Sequence, residues 1–89
     1  MSSKPPSRPK ILPNGNIRSV ADVGAAIRAK RKAVGIRQEQ LAALVGVGPR
    51  FLSEVENGKE SAAIGKVLQV LRRLGLEVSI NPRGASEGQ

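Results

Sequence analysis

The sequence predicts a mainly α domain of four to five helices, closed by one short C-terminal β-strand that pairs with its copy across a dimer. Three observations carry this. Apolar residues recur at three- and four-residue steps in successive segments, the period of helices with one buried face. Gly35, Gly46, Gly58 and Gly75 each follow such a segment, where a helix stop belongs. From Leu76 the period falls to two: Leu76, Val78 and Ile80 alternate with Glu77, Ser79 and Asn81 until Pro82.

Residues 1–18 contain no acid and carry Lys4, Arg8, Lys10 and Arg18. Pro5, Pro6, Pro9 and Pro13 forbid a regular helix there, and Asn14-Gly15 signals a turn. A flexible basic arm is expected, either a solvated leader or an arm lying along phosphates or the minor groove. Residues 19–34 follow as a helix. Ser19 serves as its N-cap, and Asp22 completes an approximate capping box. Val20, Val23, Ile27 and Val34 make its buried stripe, with Arg28, Lys30 and Lys32 outside. Arg31 falls on the buried stripe as well, and a buried arginine needs a partner.

A second helix covers residues 38–45, its apolar face formed by Leu41, Ala42, Leu44 and Val45. Gly46 can take the left-handed conformation that turns the chain, and Val47 plugs the corner. Pro49 suits the first turn of the next helix, where its missing N–H is no loss. Leu52 and Val55 point that helix inward, leaving Pro49, Arg50, Ser53 and Glu54 outside. Ala42 is small enough to let the two helices approach. The last helix is expected over residues 61–74, with Ile64, Val67, Leu68, Leu71 and Leu74 inward. A strand over residues 76–81 cannot satisfy its own backbone, and the chain has no second strong strand, so the simplest partner is the same strand of a second copy. Residues 82–89 read as a flexible tail.

Composition narrows the function. Eighty-nine residues hold one domain, here residues 19–81, near the lower limit for a core stable alone. Without Cys or His there is no disulfide and no conventional zinc site, so oligomerisation is the expected stabiliser. Fifteen Lys and Arg against seven Asp and Glu give a net charge of +8, which attracts a polyanion. Phe51 is the one aromatic residue, which disfavours modules that stack single-stranded bases. No apolar run approaches a membrane span and no signal-peptide core follows the basic start, so a soluble cytoplasmic protein is expected. No histidine or cysteine nucleophile, phosphate loop or paired carboxylates point to an enzyme, and no cofactor or metal is expected.

Residues 38–58, QEQLAALVGVGPRFLSEVENG, thus read as two short helices at a tight corner. That is the pattern of a helix-turn-helix, whose second helix enters the DNA major groove. An ordinary helical hairpin would share the apolar spacing. The small residue, corner glycine and apolar plug in one register, within so basic a chain, favour DNA. On the second helix Arg50 can hold guanine O6 and N7 together, or form an i,i+4 ion pair with Glu54. Pro49, Ser53 and Glu54 complete the expected base-facing set. Phe51 is assigned to the core rather than to a thymine methyl.

Two strings, Gly35-Ile36-Arg37-Gln38-Glu39-Gln40-Leu41-Ala42 and Glu56-Asn57-Gly58-Lys59, carry a resemblance to the Cro/repressor (Xre) family over about residues 20–76. The wider string from Phe51 to Lys59, with Ile64-Gly65-Lys66-Val67-Leu68 after it, is similar to a narrower branch. That branch is the HipB-like antitoxins, which repress their own operon and pair with a HipA-like kinase toxin. The resemblance implies a repressor-like helix-turn-helix domain that holds a palindromic double-stranded operator as a homodimer. It pairs Arg31 with Glu56 as a structural ion pair. It sets Gln38 against a phosphate, unless that residue is merely a solvated helix start. Arg37, Gly48, Asn57 and Lys59 complete the phosphate-facing set. Arg37 departs from the family, where Thr or Ser commonly caps this helix; arginine cannot accept from backbone N–H groups, so a weaker start is expected.

Two functions remain: a stand-alone Xre-family regulator, or an autoregulating antitoxin of a HipA/HipB-type pair whose second task is to restrain a toxin. A helix-turn-helix kept only for protein docking is disfavoured by the charge.

Overall fold

The computed structural model describes residues 16–82, so the arm up to position 15 and the tail from position 83 lie outside the described residues. Four helices follow one another: α1 (Val20–Val34), α2 (Gln38–Val45), α3 (Pro49–Glu56) and α4 (Ile64–Arg73). The third packs on the first two, and α4 packs on α2.

The helix boundaries follow from local chemistry. Ser19 Oγ accepts the Asp22 N–H at 3.2 Å. Asp22 reaches one residue further back than a capping box would, its carboxylate accepting the Arg18 N–H at 2.8 Å. All four helices end through one arrangement. At the α2–α3 corner Gly46 has φ 91°, its N–H meets the Ala42 carbonyl at 2.8 Å, and the Val47 N–H meets the same carbonyl at 3.0 Å. An L-residue with a Cβ is strained at that φ, which is why a glycine stands there. Ile36, Lys59 and Leu76 each donate in the same way to a carbonyl five residues back.

Ile27, Leu41, Ala42, Leu52, Val55, Val70, Leu71 and Leu74 form the core. Burying each large side chain of that set stabilises the fold by about 1.5–3 kcal/mol. Val23, Ile36, Val45, Val47, Phe51, Val67 and Leu76 pack around it. Phe51 therefore belongs to the core margin, with the Lys66 ammonium 5.6 Å from its ring centre.

Several expected positions are corrected. Val34, Leu44 and Ile64 are exposed, at 55, 52 and 72%, and Leu68 at 38%. The core stripe of α4 runs through Val67, Val70, Leu71 and Leu74, and at about 100° per residue that swings Leu68 aside; Ile64 shares the face of Leu71 but stands at the first residue of the helix. Leu44 falls outside the Leu41–Ala42–Val45 face for the same reason. At the end of α1 the inward place goes to Ile36, beyond the turn, rather than to Val34. The last helix begins at Ile64, not at position 61, because Ala63 is extended (φ −65°, ψ 117°) and ends the turn after α3. Over residues 76–81 no strand is formed among the described residues, since one such segment has no ladder to join. Val78 and Ile80 stand exposed at 57 and 92%.

Gly24, within α1, has a role that no helical period reveals. It is buried where α1 meets the end of α3, and a Cβ on it would lie 2.9 Å from the Glu56 carbonyl oxygen and closer still to that of Val55. Glycine here lets two backbones touch.

Candidate nucleic-acid interface

The outer face of α3 is built by its inner one. Leu52 and Val55 are wholly buried, which turns the helix so that Pro49 and Arg50 stand exposed and Ser53 and Glu54 half-exposed. Gly48 is the N-cap and Pro49 the first helical residue; no side-chain hydrogen bond from the N-cap closes the start of α3.

Arg50 is the most prominent group on this face, its side chain 90% exposed. Its Nε lies 3.4 Å from Glu54 Oε2, the i,i+4 pair named as the alternative to base readout. Glu54 also receives the Lys59 ammonium, at 3.1 Å on Oε1. The Lys59 hydrogen bond holds the Glu54 carboxyl below its ordinary range; a little desolvation opposes it, and the Lys59 and Arg50 charges add to it. Three of the expected DNA-facing residues thus form one chain of charges along the helix.

Asn57 caps α3 from outside, its amide donating to the Ser53 carbonyl at 3.0 Å. Arg37 precedes α2 without capping it. Only the reciprocal half of a capping box is made, Gln40 Oε1 accepting the Arg37 N–H at 2.8 Å, while the first-turn N–H groups of α2 gain no acceptor from the Arg37 side chain. The Arg37 guanidinium itself is exposed, 3.9 Å from Glu39.

Arg31 and Glu56 meet as the resemblance implied. Arg31 Nε donates to Glu56 Oε2 at 2.7 Å and Nη2 to Oε1 at 3.0 Å. A third guanidinium nitrogen donates to the Ile36 carbonyl at 2.9 Å. The hydrogen bond to Glu56 raises the Arg31 pKa further, so its charge is permanent. Gln38 joins this pair: its Nε2 donates to Glu56 Oε1 at 2.9 Å. The amide therefore faces inward, and the side-chain nitrogen is engaged within the protein.

A groove of about 530 Å³ opens beside this cluster. Arg28 and Lys32 line it from α1 together with Ala25 and Ala29, and Gln38 and Asn57 line its other side. Sequence reasoning named Arg28 and Lys32 only as exposed. The available signal was their four-residue spacing, which places both on one helix face.

A family described as Helix-turn-helix matches residues 27–80. The chain is 50% identical over 64 residues to an uncharacterised HTH-type transcriptional regulator, y4mF, of Sinorhizobium fredii (strain NBRC 101917 / NGR234), covering 72% of this chain and 84% of the relative. Among solved structures it resembles a chain of a HipB-O4 20mer complex, with a TM-score of 0.71 at 22% identity, covering 78% of this chain and 97% of that one. A chain of a HipA-HipB-O2-O3 complex matches with the same TM-score, identity and coverage. At such identity the likeness is one of fold.

Proposed function

This chain belongs to the helix-turn-helix family, of the Xre type, and on that premise we propose that it is a sequence-specific repressor that binds a palindromic double-stranded operator as a homodimer. The observation that carries the reading is the outer face of α3, where Arg50 stands 90% exposed on a helix whose opposite side is locked into the core. Arg50 reads a guanine, with Pro49, Ser53 and Glu54 beside it. Arg37, Gly48, Asn57 and Lys59 hold phosphates, together with the N-terminus of α2. The Gln38 side chain orients Glu56 in the free protein, so its part in holding a phosphate falls to its backbone N–H.

Dimerisation is the second half of the proposal. Val78 and Ile80 are exposed alternating residues, Leu76 anchors their segment to the core, and Ile64 and Leu68 are exposed apolar residues of α4. Pairing of residues 76–81 with their copy would cover that surface and fix the spacing of the two copies of α3. Half-site centres about 34 Å apart are expected. A protein that binds chromosomal operators acts in the cytoplasm, and no helix among the described residues is long and apolar enough to cross a membrane.

A finer reading is that the protein is the antitoxin of a toxin–antitoxin pair. Its support is the HipB-like fold, since one of the matched structures holds HipB together with HipA. A stand-alone regulator is the alternative. Gel-shift titration of the DNA upstream of its own gene, against a scrambled duplex, tests the repressor; equal affinity for both would defeat it. Co-purification with the product of an adjacent kinase-like gene tests the antitoxin, and absence of such a gene favours the stand-alone regulator.

A further inference from the structure

We propose that the groove between α1, the start of α2 and the end of α3 seats one more backbone phosphate of bound duplex DNA, held by Arg28 and Lys32. This rests on the repressor reading and extends its interface beyond the helix-turn-helix.

The two cations are four residues apart on one face of α1, both exposed, and both line the groove. Arg31, Arg37, Arg50 and Lys59 each have a carboxylate within 4.0 Å, whereas among the described residues Arg28 and Lys32 have none. Their charge is available to an outside anion. Ala25 and Ala29 line the groove beside them and leave it open, where longer side chains on that face would fill it.

Glu56 also borders the groove, and an uncompensated carboxylate there would repel a phosphate. It is compensated: Oε2 accepts from Arg31, and Oε1 accepts from both Arg31 and Gln38. With Arg31 cancelling Glu56, the groove keeps the two positive charges of Arg28 and Lys32.

Continuity decides for DNA over an acidic peptide or free phosphate. The far side of the groove is Gln38, first residue of α2, and Asn57, the residue that closes α3. Both stand in the phosphate-facing set, so a backbone lying along them continues onto Arg28 and Lys32. Such a contact carries no sequence information of its own; it adds affinity to operator and non-operator DNA alike.

The test is the salt dependence of operator affinity for the parent, Arg28→Ala/Lys32→Ala, and Lys30→Ala, a cation of α1 outside the groove. Equal melting temperatures establish that the fold is intact. Loss of one phosphate contact in each subunit of the dimer should make the plot of log affinity against log salt shallower by roughly 1.8 in the double variant, with Lys30→Ala close to the parent. The loss should be equal on scrambled duplex. Ala29→Leu, which keeps both charges and fills the seat, should shift the slope in the same direction. An unchanged slope in the double variant, with the parent binding its operator normally, overturns this site and leaves the repressor reading standing. A parent that fails to bind any duplex overturns both.

Discussion

Arg31 and Glu56 are the two charged residues buried among the described residues, each 8% exposed, and they are buried against each other. One comes from α1 and the other from the end of α3, so the pair ties the two helices together. Removing either partner leaves a charge without its complement in a poorly solvated place. Glu56→Ala is expected to destabilise by about 3–5 kcal/mol, and replacing both residues by apolar ones of similar volume should recover most of that. Urea denaturation of the two singles and the double closes the cycle; additive losses would mean that the pair is not coupled.

Gly24 and Gly65 make a contrasting pair. A Cβ at Gly24 meets backbone oxygens, which cannot step aside as a side chain can, so Gly24→Ala is expected to cost about 1–3 kcal/mol. A Cβ at Gly65 meets nothing within 4 Å, on an exposed turn of α4. Gly65→Ala should stabilise by up to about 1 kcal/mol through helix propensity. Thermal melts that move in the same direction would contradict the packing described.

For Arg50 the measurement is operator selection. Arg50→Ala should lower operator affinity by about 1–3 kcal/mol and relax preference at one base pair of each half-site. A loss equal on every sequence would reassign Arg50 to a phosphate.

Glu54 gives a pH prediction. A carboxylate whose folded pKa is lowered contributes stability that is present above the unfolded value, about 4.3, and is lost as pH falls through the lowered one. The acid limb of a stability profile should therefore include Glu54, on the acid side of an ordinary carboxylate. In Lys59→Ala the largest cause of the shift is gone, and the Glu54 midpoint followed by NMR should move up towards the ordinary value. An unmoved midpoint would show that Lys59 does not hold it.

Dimerisation is tested at Val78. Val78→Pro removes a ladder donor from the segment proposed to pair and should dissociate the proposed dimer at concentrations where the parent is associated. Operator affinity should fall with it although every DNA-facing residue is unchanged. An undisturbed dimer by sedimentation would move the interface elsewhere.

How far the sequence could be read depended on the range of the interactions involved. Helix ends were legible because each is set within six residues, as at Gly46 and Val47. The corner of α2 and α3 was legible for the same reason. The Arg31–Glu56 contact was reachable only through family resemblance, since spacing shows that Arg31 points inward but not what it meets. Val70 and Gly24 were missed because their burial is decided by which neighbour a helix face receives. Leu68 fits the helical period yet lies beside the buried stripe, and Ile64 shares its face but stands at the helix start; periodicity alone fixes neither the centre of a stripe nor how far along it a neighbour reaches. Residues 76–81 carry the alternation of a strand, but a strand is a property of two segments. The groove beside Arg28 and Lys32 arises where three helices converge and has no signature in any one of them.

The grip on α3 comes from behind, through Leu52, Val55, Glu56 and the bare backbone of Gly24. Pro49 and Arg50 take no share in it. A change at the outward positions therefore need not wait for a compensating change inside. If α3 reads an operator as proposed, descendants of this chain can exchange one operator for another by single steps, and a duplicated gene can diverge in target before it diverges in shape.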